Sequence, residues 1–388
     1  MKRFITILLA VILLLPSSVQ SFAAPQERED KTNYAYVFVH GLSGWGSYDK
    51  QNKFLKYWGM FGGDLMKYLK EQGFDCYSAS VAPHGSAWDR ACELYAQLTG
   101  TVTDYGKEHS ERCRHERYGT DFSDKPLLAQ WDSEHKINLL GHSFGGATVR
   151  MLSELMANGS AAEQAATDAD ELSPLFTGGK GDWVYSVTAL AAPMNGTTAY
   201  DVDNTAEVGS GFKKWMLNAL TKMMGAANKE ESDGRVDYDN ANYDMLIDNA
   251  AAMNEQLHTL ENVYYFSVPC NSSVKKDDGT YSPDESKTEL LFLKAGTLMG
   301  AFTETTPGGY TVDETWLMND GLVNTVSATA PFNAPQQAYD AQQVHKGIWN
   351  VMPVYDGDHM SLQGGLFKKN DVRDFYTELL TMINSLEE

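Results

Sequence analysis

The chain has 388 residues, 43% of them hydrophobic, and a formal net charge of -21 at neutral pH. This length allows a large buried core, organised as one large α/β domain or as two smaller ones. The acidic balance repels phosphate-rich surfaces at long range, so we expect no nucleic-acid partner, whereas a neutral substrate is compatible.

The first 23 residues have the pattern of a secretory signal peptide. Lys2 and Arg3 precede an apolar run over residues 5–15, and residues 21–23 form a small-x-small cleavage pattern. The apolar run is shorter than the about 20 residues that span a membrane, and no later stretch offers a span. We therefore expect a secreted protein without an integral membrane segment, in which residues 24–388 form a single catalytic domain of charge -23.

Strand patterns and helix patterns alternate along the rest of the chain. Predicted strands cover residues 34–39, 75–82, 136–140 and 183–191, and predicted helices cover residues 61–72, 89–99, 148–156 and 372–386. Such alternation indicates βαβ units in an α/β fold, with a mostly parallel central sheet flanked by helices. Ligands of such sheets bind beyond the carboxyl ends of the strands.

An amphipathic segment lies between the fourth predicted strand and the C-terminal part of the chain. Residues 212–228 read FKKWMLNALTKMMGAAN, which places aromatic residues, leucine and methionine on one helical stripe and lysines on the opposite side. An ordinary core helix and a mobile lid both fit this pattern. We predict a helical lid insertion at about residues 205–240.

The four cysteines permit two interpretations. Cys76, Cys92, Cys113 and Cys270 are an even number, so a secreted chain could form up to two disulfides. A chain of this length does not need such cross-links, and four buried thiols fit equally well.

The hexapeptide GHSFGG, residues 141–146, joins the third predicted strand to the third predicted helix. Gly-x-Ser-x-Gly forms a sharp strand-to-helix turn because the glycines let the backbone reverse and the helix approach the strand, which exposes the serine oxygen. Ser143 is therefore either a nucleophile on such a turn or a serine in a small-residue bend, and the structural context decides between them.

Two residues downstream could activate Ser143. Serine is a weak nucleophile unless a histidine accepts its proton and a carboxylate orients that histidine. The α/β-hydrolase order of Ser, Asp and His is met by Asp320 in LMNDGLVNTVS and His359 in YDGDHMSLQGG. Taken singly, Asp320 fits an Asx-Gly turn and His359 a surface histidine. Asp356 and Asp358 are so near His359 in sequence that we interpret them as surrounding charges rather than the orienting carboxylate.

Backbone N–H groups of Leu42 and Phe144 are the predicted oxyanion donors. In this fold one donor follows the nucleophile and the other lies in the loop after an early strand. Phe144 follows Ser143, and Leu42 lies in HGLSGWG directly after the first predicted strand. Nucleophile, base, orienting carboxylate and oxyanion donors are then all present, which favours a serine hydrolase.

A series of longer motifs carries a family resemblance. In chain order these motifs are VHGLSGWG, KYWGMFGGDL, WDRACELYAQLTG, TVTDYG, GHSFGG, LSPLFTGG, WLMNDGLVNTVS and KGIWN. Over roughly residues 34–385 the chain resembles the secreted zinc-containing bacterial lipases of the Geobacillus and Staphylococcus type. The resemblance implies an α/β-hydrolase fold, hydrolysis of lipid-like carboxylesters, lid opening at an interface, and a triad of Ser143, Asp320 and His359.

The resemblance also implies a structural zinc site. Family members hold zinc with two aspartates and two histidines, and the matching positions here are Asp89, His109, His115 and Asp244. Without the resemblance, His109 and His115 are better interpreted as solvated histidines in a charged loop. Cys113 lies between them and could compete as a soft ligand.

The calcium site of the family lacks its counterparts in this chain. Ser361 stands where the family has an acid, and Gly364, Gly365 and Leu366 occupy a shortened loop in place of an Asp-Pro pair. Calcium requires hard oxygen ligands, so we expect no calcium site of the family type.

Together these features predict a secreted, monomeric triacylglycerol lipase or carboxylesterase that acts on lipid or other esters at a lipid–water interface. The predicted lid is shorter than in the longer family members, so an esterase for short-chain or polymeric esters is the alternative. A catalytically silent protein that binds apolar ligands on a hydrolase scaffold is a third hypothesis.

Overall fold

The computed structural model describes residues 30–202 and 238–388. The predicted signal peptide, residues 1–23, lies outside the described residues. The same holds for the predicted lid at about residues 205–240, except for its last three positions.

Seven strands form the central sheet. They are β1 (Ala35–Val39), β2 (Cys76–Ala79), β3 (Ile137–His142), β4 (Val184–Leu190), β5 (Tyr264–Val268), β6 (Gln336–Ala338) and β7 (Trp349–Val351). Their order across the sheet is β6-β7-β5-β4-β3-β1-β2, and every neighbouring pair is parallel. The predicted α/β class is confirmed, and the sheet is parallel throughout.

Helices connect and cover these strands. The described α-helices are α1 (Leu65–Glu71), α2 (Ala87–Thr99), α3 (Lys107–Cys113), α4 (Gly145–Asn158), α5 (Ala161–Ala166), α6 (Ala241–Asp244), α7 (Ile247–Asn254), α8 (Leu293–Met299) and α9 (Arg373–Asn384). Among the described residues, no helix combines the length and the apolar character that crossing a membrane requires.

Both faces of the sheet are buried, which explains the nearly continuous apolar sequence of its strands. Strand β1 shows the principle, since Tyr36 and Phe38 face one core while Val37 and Val39 face the other. The first core packs against α1 and α9, and the second packs against α2 and α4. Buried on both faces, the strands hold their carboxyl ends in fixed positions.

Short strand pairs outside the main sheet fix several loops. Val102–Asp104 pairs with Tyr118–Asp121, Ser273–Lys275 with Tyr281–Pro283, and Glu304–Thr305 with Thr311–Val312, all antiparallel. Tyr355–Asp356 pairs in parallel with Cys270–Asn271. This last pair lies just before His359 and ties its loop to the segment that follows β5.

The four cysteines are buried free thiols. Of the two interpretations that the sequence left open, the structure supports thiols over disulfides. Burial raises the pKa of Cys76, Cys92 and Cys270 above the usual thiol range, so these three groups are protonated at neutral pH.

Candidate active site

Ser143 lies on a sharp turn between β3 and α4. Its φ is +56°, in the left-handed region, and its N–H donates to Leu190 O at 2.8 Å. Gly145 permits this turn because an added Cβ there would lie 2.4 Å from Val39 O on strand β1. The structure therefore supports the strand-to-helix elbow over a simple small-residue bend.

The three residues predicted as a triad form one hydrogen-bonded chain. His359 Nε2 lies 2.8 Å from Ser143 Oγ, and His359 Nδ1 lies 2.9 Å from Asp320 Oδ2. Ser143 is 7%, His359 4% and Asp320 1% exposed, so both contacts are shielded from bulk water. The three side chains come from separate loops more than 30 residues apart in sequence, and the fold brings them together.

Backbone hydrogen bonds fix the Asp320 carboxylate. Its Oδ1 accepts the N–H groups of Leu322 and Val323 at 3.0 and 2.7 Å, which leaves Oδ2 for His359. The N–H of His359 also donates to Asp320 O at 2.9 Å. Asp320 thus holds both the ring and the backbone of His359, a more specific arrangement than an ordinary Asx-Gly turn.

The two acids next to His359 have other partners. Asp356 pairs with Lys287 Nζ at 2.7 Å on the surface. Asp358 Oδ2 accepts the N–H of Glu289 at 2.7 Å, and its Oδ1 accepts the hydroxyl of Ser361 at 2.9 Å. Burial raises the pKa of Asp358 to about 6. These contacts anchor the His359 loop, as expected for surrounding charges.

A second hydrogen-bonded chain, which no sequence motif signals, lies beneath the triad. The N–H of Gly41 donates to Tyr57 Oη at 3.0 Å, and Tyr57 Oη lies 2.7 Å from His142 Nδ1. His142 Nε2 in turn lies 2.8 Å from His359 O. Burial lowers the pKa of His142 to about 3, so the ring is neutral at neutral pH. One tautomer satisfies every contact: Tyr57 donates to Nδ1 and Nε2–H donates to His359 O.

The predicted oxyanion residues flank the nucleophile. Phe144 is fully buried at the start of α4, and Leu42 follows Gly41 at the end of β1. A Cβ added to Gly41 would lie 2.6 Å from Ser143 Cβ and 3.1 Å from Ser143 Oγ. The Gly41–Leu42 segment therefore passes directly beside the serine, where an oxyanion would form.

A buried group of metal-ligating side chains lies between α2, α3 and α6. Ligand atoms of His109, Cys113, His115 and Asp239 are all within 4.8 Å of one another. Asp89 Oδ1 adjoins the same group, 3.0 Å from His109 Nε2 and 3.8 Å from His115 Nε2.

The structure brings a different aspartate to the two histidines than the predicted Asp244. Asp244 Oδ2 accepts the N–H of Ala87 at 2.7 Å, at the start of α2, and among the described residues the carboxylates that adjoin both histidines are those of Asp89 and Asp239. Asp239 takes its place, with its two carboxylate oxygens 3.5 Å from His109 Nε2 and 3.4 Å from His115 Nε2. The segment YDNANYD contains two Tyr-Asp pairs five residues apart, and the predicted ligand Asp244 belongs to the second pair. The first pair is the one that reaches the histidines.

The donor set fits a metal ion. Within the described residues, the buried atoms His115 Nε2 and Asp239 Oδ2 have no hydrogen-bond partner, an expensive arrangement for polar groups unless they bind something else. His115 Nδ1 lies 2.9 Å from Glu116 O, so Nε2 is the nitrogen left as an acceptor. The N···O separations of 3.0 to 3.8 Å suit ligands on a tetrahedral ion.

Neighbouring side chains hold His109 and the start of α3 in place. The Trp88 ring stacks on His109, with centroids 5.1 Å apart and planes at 16°. The buried Glu163 carboxylate accepts the N–H groups of Glu108 and His109, which satisfies the first turn of α3. A bound ion would therefore meet ligands whose orientations are already fixed.

Comparison with known proteins finds similarity over most of the chain. A family model described as the lipase-like C-terminal domain matches residues 32–238 and 229–387. Lipase 2 of Staphylococcus aureus is 32% identical over 91% of this chain, and the match covers 54% of that protein. The chain thus spans about half the length of the curated relatives that it matches.

Two solved structures are also similar to this chain over most of its length. EstA from Clostridium botulinum superimposes with a TM-score of 0.80 and 29% identity, covering 93% of this chain and 89% of that chain. Lipase 1 from Pelosinus fermentans has a TM-score of 0.74 and 31% identity, covering 92% of this chain and 100% of that chain.

Proposed function

The chain belongs to the lipase-like C-terminal domain family, and on that premise we propose that it is a secreted serine hydrolase of carboxylesters, with triacylglycerols as its preferred substrate class. The observation that carries this proposal is the continuous contact from Ser143 Oγ through the His359 ring to Asp320. These contacts support the proposal because acyl transfer by serine requires a nucleophile, a base and an orienting carboxylate within hydrogen-bond distance of one another.

The reaction proceeds in two stages. His359 Nε2 accepts the Ser143 proton as Oγ attacks the ester carbonyl, and the tetrahedral intermediate collapses when the same imidazolium protonates the leaving alcohol. Water, activated by His359, then hydrolyses the acyl-enzyme and releases the fatty acid. Asp320 stabilises the imidazolium in both stages and keeps the proton of the ring on Nδ1.

The N–H groups of Leu42 and Phe144 hold the oxyanion of both tetrahedral intermediates. Two amides fixed in a site from which water is excluded are worth more than the same donors in water, because they need no reorientation as charge develops. Leu42 and Phe144 also pack in one apolar cluster with Ala87, Ala147 and Met245. The surroundings of the oxyanion site are therefore suited to an acyl chain rather than to a charged substrate.

The metal group has a structural role in this proposal. Asp89, His109, His115 and Asp239 would hold a zinc ion, and such a closed four-ligand site ties α2, α3 and the segment before α6 together. Cys113 is not in this set because its Sγ lies 3.9 Å from His109 Nδ1, whereas the two carboxylates adjoin Nε2 of the same ring. Its nitrogen and carboxylate oxygen donors suit zinc better than calcium. The ion takes no part in ester hydrolysis.

Two other functions have distinct signatures. An esterase for short-chain or polymeric esters would use the same triad without a rise in rate at the substrate's solubility limit. A silent protein that binds apolar ligands would show no activity that depends on Ser143. The filled triad favours hydrolysis over silent binding.

The test is hydrolysis of p-nitrophenyl esters of increasing acyl length by the purified chain, measured across the solubility limit of each ester, with Ser143→Ala as the control. A rate that rises with chain length and increases sharply at the interface supports the lipase. Activity confined to short soluble esters supports the esterase, and activity that survives in Ser143→Ala would refute the proposed mechanism.

A further inference from the structure

Arg90 is a fully buried cation next to the predicted oxyanion residues. It lies on α2, and its guanidinium donates to three backbone carbonyls and one hydroxyl: His40 O, Gly41 O at 3.5 Å, Ala82 O at 3.3 Å and Thr148 Oγ1 at 2.8 Å. Among the described residues no carboxylate forms an ion pair with Arg90, and the carboxyls of Glu93 and Asp244 act on it only through longer-range attraction. Burying a cation on neutral acceptors is costly, so this arrangement calls for a function.

The peptide unit that carries the Leu42 N–H, one of the two predicted oxyanion donors, accepts two hydrogen bonds at its carbonyl. Gly41 O belongs to the same peptide unit as the N–H of Leu42. It accepts from Arg90 and also from His40 Nδ1 at 2.8 Å, while His40 Nε2 accepts the N–H of Val81 at 3.3 Å. Donors on the carbonyl polarise the amide, which strengthens its N–H as a donor on the opposite side.

Arg90 also contacts Phe144, the residue that carries the second predicted oxyanion donor. Its Cζ lies 5.1 Å from the centroid of the Phe144 ring, in a cation–π arrangement. Thr148 Oγ1, which accepts from Arg90 Nε, donates to Phe144 O at 3.3 Å. A single side chain thus links the loop that carries Leu42 to the turn that carries Phe144.

We propose that Arg90 is the positioning residue of the oxyanion hole, which fixes the Leu42 and Phe144 amides relative to each other and places a permanent positive charge behind them. This inference rests on the proposed function, because it concerns the oxyanion of that reaction. The developing negative charge is stabilised by donors that are already aligned and by a cation in a water-excluded interior, where electrostatic interactions are stronger than in water.

The test compares Arg90→Met with Arg150→Met. Arg150 is a matched control because it is also a buried arginine, it lies on α4, and its described hydrogen bond goes to Asn254 Oδ1 at 2.8 Å, away from the oxyanion residues. We expect Arg90→Met to lower kcat on a soluble p-nitrophenyl ester by about 10- to 100-fold, somewhat less than the loss of a direct oxyanion donor, with KM nearly unchanged. Arg150→Met should lower the thermal midpoint without lowering kcat.

A second readout separates positioning from loss of structure. A boronic acid that forms a tetrahedral adduct with Ser143 should lose affinity for Arg90→Met by the same factor as kcat, while affinity for a ground-state product analogue stays constant. Added guanidinium ion should restore part of kcat in Arg90→Ala and leave the wild type unchanged. Unaltered kcat or unaltered boronate affinity in Arg90→Met would overturn the inference.

A milder pair of variants serves if Arg90 substitutions do not fold. Thr148→Val removes the hydroxyl between Arg90 and Phe144 O, and Thr188→Val is its control because the buried Thr188 hydroxyl has no hydrogen-bond partner among the described residues. We expect kcat to fall in Thr148→Val and to stay constant in Thr188→Val; equal kcat in both would refute the proposal. Absence of Ser143-dependent activity in the wild type would instead refute the proposed function.

Discussion

Replacing Tyr57 with phenylalanine removes one hydroxyl group from the hydrogen-bonded chain beneath the triad. That hydroxyl accepts the N–H of Gly41 at 3.0 Å and donates to His142 Nδ1 at 2.7 Å. Both partners are buried, so neither gains water in exchange. Leaving each buried group unpaired costs about 1 to 3 kcal/mol, so we expect the free energy of unfolding to fall by about 2 to 6 kcal/mol.

Activity should fall as well, because His142 would lose the contact that holds its ring against His359 O at 2.8 Å. A displaced His359 backbone misaligns the base with Ser143, and small misplacements of reacting groups cost about 10- to 100-fold in rate. The assay is kcat on a soluble p-nitrophenyl ester together with urea unfolding of the same preparation.

Tyr36→Phe is the matched control. Tyr36 is also buried and also makes two contacts through its hydroxyl, to Leu380 O at 2.9 Å and to Asn384 Oδ1 at 2.5 Å near the C-terminus. We expect it to lose similar stability and to keep the kcat of the wild type. Equal kcat for the two variants would refute the role of the Tyr57 chain in holding His359.

Three further outcomes follow from the structure. Asp320→Asn should lower kcat by about 10⁴-fold in steady-state assays. The amide oxygen would accept the two backbone N–H groups, so the NH₂ group would face His359 Nδ1 and impose the wrong tautomer on the ring. A loss below tenfold would contradict this. Asp239→Ala should lose zinc on dialysis while Asp244→Ala retains it, as measured by metal analysis; the reverse would restore the sequence-based assignment. Burial raises the pKa of Glu93 to about 7, so the folded state keeps a proton that the unfolded state releases near pH 4.5, and the contribution of Glu93 to stability falls as pH rises through this interval. In urea unfolding, the difference in stability between Glu93→Gln and the wild type should grow in favour of the variant by about 3 kcal/mol between pH 4.5 and pH 8. Parallel pH curves for the two proteins would exclude this role of Glu93.

The elbow and its surrounding strands could be predicted from sequence because the determinants are local. Glycines flank Ser143 within six residues, and a run of apolar residues precedes them. The chain order of Ser143, Asp320 and His359 then extended the prediction to distant residues, and the structure brings all three together. Order along the chain is informative here because a parallel sheet places successive loops at the same edge.

Other features of the fold and the site could not be predicted from sequence because they depend on tertiary contacts. Strand β6 has three mostly polar residues at the edge of the sheet, so its sequence carries no periodic signal. Asp239 and Asp244 follow identical tyrosines, and only the packing of α6 against α2 separates them. Arg90 and Tyr57 are polar residues that the sequence gives no reason to bury, and their partners lie on other elements.

The most direct test of the account is to treat the intact chain with a serine-directed phosphonate ester and to locate the adduct by peptide mass spectrometry. We expect one adduct, on Ser143, formed in step with the loss of esterase activity and absent from His359→Ala, where no base activates the serine. An adduct at another residue, or complete esterase activity after Ser143 has been labelled, would contradict the account.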